Sequence, residues 1–180
     1  LIIVAATLAG CSSPSGGGDG MTRAERAAAL EAALEEENIS KPTALPVRGT
    51  ASYTGFMTLG LPIGGETSDY VGDLDLHVNF GAARNQIVGT ASNFDGLSGD
   101  LAISGGNIDQ STNPDIDYTF DGAVDGSFGY DGDSYAVDGS LVGEFRGRNQ
   151  DGVTGVIYGD INGPDGQDIF DGTLAGTRDD

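Results

Sequence analysis

Protein chemistry needs nucleophiles, metal ligands or titratable groups held together, and this chain is short of two usual suppliers. It has one Cys, Cys11, and one His, His77. A lone Cys cannot form an internal disulfide or a Cys-based zinc cluster, and a lone His removes most His-dependent catalysis and the usual transition-metal sites. Carboxylates are abundant instead: 28 Asp plus Glu stand against 8 Lys plus Arg, for a formal net charge of −20. That charge repels nucleic acid and the anionic face of a membrane, so nucleic acid is excluded as a partner. Abundance alone does not make a catalytic pair, which needs two carboxyl groups with contrasting surroundings. No Gly-x-Ser-x-Gly elbow, phosphate loop or His-bearing zinc motif occurs. The expectation is a protein that is not an enzyme, with no cofactor.

Two acidic sites invite a metal reading. His77 shares strand parity with Asp73 and Asp75. Side chains two apart on a strand point the same way without converging, so a solvent-facing His is expected there and no metal. Asp160-Ile161-Asn162-Gly163-Pro164-Asp165-Gly166 has calcium-loop composition, but its spacing is one residue too long for an EF-hand and the closing Glu is missing. Asp-Gly pairs repeat along the chain, yet no Gly-Gly-x-Gly-x-Asp unit occurs. Turn formation and solubility account for both residue types, with weak surface calcium binding as a minor alternative.

Cys11 has a more specific setting. Leu1 to Gly10 is an apolar segment without a basic start, read as the tail of a signal-peptide core and too short to span a bilayer as a helix. Leu8, Ala9, Gly10 and Cys11 resemble a bacterial lipobox, in which small residues let the segment enter a peptidase site in extended form. The thiol of Cys11 would carry a diacylglycerol and the new amino group a further chain such as palmitate. Two or three chains anchor stably where one does not, each buried methylene contributing about 0.8 kcal/mol. Ser12 follows the Cys where an Asp would signal retention at the inner membrane, so the sorting pattern implies the outer membrane.

The elements that follow divide the chain. Residues 11–20 form a Ser/Gly tether. Residues 21–39 predict a helix, with Thr22 and Glu25 at capping-box spacing and Ala27, Leu30 and Leu34 on one narrow face. Glu35, Glu36 and Glu37 crowd its C-terminal turn, where the macrodipole disfavours anions, so fraying is expected. The helix would either space the domain from the membrane or cover one end of it. Residues 40–46 are a Pro-bounded linker.

From residue 47 to residue 180 the period is two. Ala51, Tyr53, Met57, Leu59 and Leu61 share one parity, as do Tyr70, Leu74, Leu76, Val78 and Phe80. Later runs follow at Leu97 to Ile103, Ile116 to Tyr130, Tyr135 to Phe145, Val153 to Ile161 and Phe170 to Gly176, with a less clear segment at 86–94. Gly, Asn, Asp and Pro separate them. Eight alternating segments with close turns predict an antiparallel meander, and closing it removes the exposed edges. The expected fold is all-β: an eight-stranded antiparallel up-and-down β-barrel preceded by one N-terminal α-helix. Glycines recur on the apolar parity, where they permit tight coiling and make room for large neighbours.

Residues 47–180 hold 22 Asp plus Glu, five Arg and no Lys. In a membrane-inserted barrel these acids would crowd a narrow lumen unpaired, at prohibitive cost. The opposite arrangement, apolar inside and acid in water, is expected.

Three quoted segments carry a family resemblance. Tyr135 to Gly147 includes Gly139-Ser140-Leu141-Val142-Gly143-Glu144-Phe145-Arg146-Gly147, a G-x-x-x-G-x-F-x-G run. Val153-Thr154-Gly155-Val156-Ile157-Tyr158-Gly159 follows a turn, and Phe170-Asp171-Gly172-Thr173-Leu174-Ala175-Gly176-Thr177-Arg178 closes the chain. Together they resemble the eight-stranded barrel domain of transferrin-binding protein B and related surface lipoproteins. The resemblance covers mainly residues 135–178, has room for one barrel only, and includes no transferrin-contacting loop. It implies a surface lipoprotein that captures a protein partner or solute, in nutrient uptake such as that of iron. The partners expected are thus the membrane, through the lipid anchor, and a protein or solute ligand of undetermined identity, met at rim segments such as 62–69 and 105–115. Two alternatives stand beside it. One is a lipocalin-like carrier of a small apolar ligand, although Tyr53, Phe80, Phe120, Phe128, Phe145 and Phe170 are bulky enough to fill the interior. The other is an acidic, calcium-assisted structural or adhesive module.

Overall fold

The structure, a computed structural model, describes residues 20–81, 85–110 and 119–179. These residues form one helix, α1 (Arg23–Glu35), a single 3-10 turn (Pro42–Ala44) and eight strands. The strands are β1 (Thr50–Ile63), β2 (Glu66–Asn79), β3 (Ile87–Ser92), β4 (Leu101–Gly106), β5 (Phe120–Tyr130), β6 (Asp133–Arg146), β7 (Gly152–Gly163) and β8 (Gly166–Arg178). Each pairs antiparallel with the next, and β1 pairs with β8, so the sheet is a closed barrel in sequence order. This is the expected architecture. Ile116 and Tyr118, expected in the fifth strand, lie outside the described residues.

The turns at one end are tight for local reasons. Gly64 and Gly65 join β1 to β2 with φ of 69° and 90°, and Asp131 and Gly132 join β5 to β6 with φ of 49° and 91°. With positive φ at both central positions these two hairpin turns match the twist of their strands, and Gly and Asp adopt that conformation readily. The same end also carries the longer β3–β4 connection, 93–100, and the opposite end carries 147–151 between β6 and β7.

The parity of the sequence is the parity of the wall. Tyr53, Met57, Leu59, Leu61, Leu76, Leu101, Phe120, Val124, Phe128, Leu141, Phe145 and Val153 point inward and are fully or almost fully buried. Among the described residues no Asp, Glu, Lys or Arg is buried. Asp75, Asp125, Asp138 and Asp171 stand on the outer wall, a surface hydrocarbon would reject. Inward glycines receive aromatic rings from neighbouring strands. A Cβ on Gly139 would stand 2.9 Å from Phe170 Cζ, and one on Gly72 would stand 2.9 Å from Phe94. The rings of Tyr53, Phe80 and Phe120 gather around Phe145 with centroids 5.1–6.1 Å away.

α1 opens with the expected capping box. Thr22 Oγ1 accepts from the Glu25 amide at 3.2 Å, and the Glu25 carboxylate accepts from the Thr22 amide at 2.7 Å. These bonds hold the Glu25 carboxyl below its ordinary value, the backbone amide contributing most. The helix stops at Glu35, where acid crowds its C-terminus.

Its placement differs from the expectation that it covers one end. α1 lies across the outer wall, against β8, β1 and β7. Arg23 reaches the Asn93 carbonyl and, at 3.1 Å, Asp95 at one end of the wall. Leu34 sits on Gly152, where a side chain would occupy its space. Three outward residues are buried against the parity, Val71, Thr154 and Ala175, and they belong to strands on which α1 packs, β2, β7 and β8. The end is covered instead by the segment after the helix. Ser40 donates its amide to the Phe145 carbonyl at 2.8 Å and its hydroxyl to the Gly147 carbonyl at 2.5 Å. Leu45 then joins the core.

Candidate functional site

The residues picked out for lipid attachment, Leu8, Ala9, Gly10 and Cys11, lie outside the described residues, as does the tether up to Asp19. The described chain begins at Gly20, just ahead of the Thr22 cap and at the end of the helix near Asp95.

His77 is solvent-facing, as expected, but the expectation that it would not converge with Asp75 is corrected. His77 Nε2 lies 3.2 Å from Asp75 Oδ1, and Nδ1 lies 2.9 Å from Ser52 Oγ on the opposing strand. The long imidazole leans along the strand and spans the two-residue interval that shorter side chains leave open. Ser52, His77 and Asp75 therefore form a hydrogen-bonded chain of hydrolase-like composition. His77 and Asp75 have more than half their side-chain surface in water, and Ser52 is directly opposite His77 in the β1–β2 ladder. Asp73 turns elsewhere, accepting from Asn93 at 3.0 Å and facing Arg23 at 3.6 Å.

The calcium-like heptad divides between two strands. Asp160 to Gly163 are in β7, Gly166 begins β8, and Pro164 and Asp165 are the two residues of a hairpin turn. The composition serves the turn. Among the described residues no three His, Cys, Asp or Glu side chains gather closely enough to hold a metal.

The rim segments are on opposite ends. Residues 62–69 are not a loop: 62–63 and 66–69 are strand, and only Gly64 and Gly65 turn. The pleat and the two-glycine turn leave no length for a binding loop. Of 105–115, Asn107 to Gln110 continue past β4, with Asn107 bonding Asp121, and 111–115 lie outside the described residues. The barrel interior is occupied by side chains: Tyr53, Phe120, Phe128 and Phe145 are each under 2% exposed. A lipocalin-like ligand would have to displace them.

Two of the open spaces lie on the outer wall, flanking α1. On one flank a groove of about 240 Å³ is lined by Glu31, Glu35, Val142, Glu144, Arg146 and Val156. Glu31 accepts from Thr173 at 3.2 Å, and Arg146 pairs with Glu144 at 2.8 Å while donating to Thr154. On the other flank a depression of about 600 Å³ lies between Arg26, Leu30, Phe56, Asp73, Asp75 and Thr177. There the Arg26 guanidinium stands 5.8 Å from the Phe56 ring centre. Val156, 50% exposed, lines the first groove, and Tyr158, 53% exposed, lines a separate depression with Asp121, Ala123, Ser140 and Val142. Sequence reasoning missed Val156 and Tyr158. Their signal was available: apolar side chains on the polar parity of β7.

No protein-family model matches the chain, and no curated protein matches it.

Proposed function

We propose that this protein is a lipid-anchored outer-membrane lipoprotein that binds a protein partner or solute on the cell surface. It is not an enzyme in this reading and needs no cofactor. The observation that carries it is the run Leu8-Ala9-Gly10-Cys11, holding the sole Cys of the chain after an apolar segment and before a Ser/Gly tether. The fold gives the reading physical support. A barrel with its apolar residues inside and its carboxylates in water needs an added anchor to stay at a membrane, and acyl chains supply one. The three segments that resemble transferrin-binding protein B barrels are three adjacent strands, β6, β7 and β8. That likeness suggests capture of a partner in nutrient uptake, iron among the candidates.

The test is metabolic labelling with a palmitate analogue in a bacterium with an outer membrane, followed by protease treatment of intact cells. Label on the wild type and none on Cys11→Ser, with the barrel open to protease, supports the reading. An unlabelled Cys11, or a barrel shielded from protease, overturns it.

A further inference from the structure

We infer that the outer wall of β5 to β8 is a docking surface for a basic segment of a protein partner, seated on Tyr158 and Val156. This deepens the function proposed above and rests on it for the partner's place outside the cell.

The wall carries a row of like charges. Asp125 on β5 is directly opposite Asp138 on β6, and Asp138 is directly opposite Asp160 on β7. Facing positions on antiparallel strands hold their Cβ atoms about 4.5–5.5 Å apart, and like charges there oppose folding. Among the described residues no basic side chain forms an ion pair with the row. The basic residues of β5 to β8 are Arg146 and Arg178, both at the far strand ends, and Arg146 is already paired with Glu144. The row contributes nothing to the barrel that another polar residue would not.

Beside the row the wall turns apolar. Tyr158 is two residues along β7 from Asp160, and Val156 two further on, facing Val142. Val156 and Tyr158 are half exposed, and Ile169, opposite Asp160, is 74% exposed. Water-facing strand positions do not require such residues, and an acid-rimmed apolar patch marks a contact surface. Asp121 faces Val142, Asp171 faces Tyr158, and Glu31 and Glu35 border the groove beside α1.

This chemistry selects the occupant. A metal ion is unsuited, because the acids lie along a flat row and do not converge. A second copy would bring acid onto acid, and an anionic lipid surface would be repelled. A basic polypeptide satisfies both halves. Its Lys or Arg heads neutralise the Asp row, its methylene stems and an apolar side chain cover Val156 and Val142, and a cation can rest on the Tyr158 ring.

The test uses the whole chain and three short synthetic peptides: alternating Lys and Leu, alternating Lys and Ser, and alternating Glu and Leu. Affinity is read by fluorescence anisotropy and the contact surface by amide chemical shifts. The Lys/Leu peptide should bind best, lose affinity with added salt and shift amides of β6 to β8. Asp138→Asn with Asp160→Asn, and separately Tyr158→Ser, should each weaken it about tenfold or more. Asp100→Asn with Asp165→Asn removes the same charge from exposed turns and should leave affinity near wild type. Circular dichroism confirms that each variant is folded. Equal losses in the two double variants, indifference to Tyr158→Ser, or no binding by the wild type overturns the inference. None of these readouts needs acylation, so failure of the anchor and failure of the docking surface are separate results.

Discussion

The ring of Phe120 lies directly over Gly143 of the neighbouring strand. A Cβ at residue 143 would collide with Phe120 Cζ and stand 2.6 Å from the Thr154 carbonyl oxygen. The glycine thus makes two things possible at once, a large aromatic beside Phe145 and a close approach of β6 to β7. Gly143→Ala should cost about 1–3 kcal/mol, the usual range for overpacking a filled interior. Equilibrium urea unfolding measures it. Phe120→Leu in the same chain should recover only part of the loss, because the collision with the Thr154 backbone remains. Full recovery would show that the ring alone demands the glycine.

The barrel was legible because one rule, alternation, runs unbroken through Ala51 to Leu61 and Tyr135 to Phe145, where each inward residue is apolar or Gly. Closure followed from edge chemistry. The position of α1 was not legible, since Ala27 and Leu34 state that the helix has a buried face but not what covers it. Its target, Gly152 beside Thr154, reads in sequence as a turn glycine and a polar strand residue. The same rule concealed Val156 and Tyr158, because attention to the inward parity of β7 passes over its outward one. His77 misled for a different reason: a strand period fixes where side chains start, not how far a long ring leans.

α1 is held by few apolar contacts, with Ala27 and Leu34 its buried residues. Leu34→Ala removes the larger and should cost about 2 kcal/mol of helix docking. The loss should be local. Hydrogen exchange of the α1 amides should accelerate while those of β1, β6 and β7 stay protected. Uniform acceleration across the barrel would mean that helix and barrel unfold as one unit.

The Ser52–His77–Asp75 chain is exposed, so it should matter little to stability. His77→Gln should change unfolding free energy by less than about 0.5 kcal/mol. Zinc should leave the melting temperature of the wild type unchanged, as a ligand that binds the folded state would raise it. A zinc-dependent rise present in the wild type and lost in His77→Gln would establish a metal site.

Asp138 faces an Asp on each side. Asp138→Asn should raise the melting temperature at low salt, and added salt should shrink the difference by screening the repulsion in the wild type. Asp165→Asn, in the β7–β8 turn, lacks such neighbours and serves as the comparison. An equal rise in both variants would assign the effect to net charge and not to the row.

Tyr53 connects the core to the turn that closes one end, its hydroxyl donating to the Gln150 carbonyl at 2.8 Å. Burial raises its pKa from 10.0 to about 12, with Asp151 adding to the rise and Arg178 opposing it. The folded state therefore holds the phenolic proton more tightly than the unfolded chain does. Stability from this group is fully present below about pH 10 and is lost as pH rises from there toward 12. Thermal melts across that window should show a steady fall, and ultraviolet absorbance should place one phenol's ionisation late. Tyr53→Phe should flatten its share of the fall, at a constant cost of about 0.5–1.5 kcal/mol for the lost hydrogen bond. If the variant and the wild type decline in parallel through the window, the alkaline loss belongs to other groups and the Tyr53 hydroxyl is not its source.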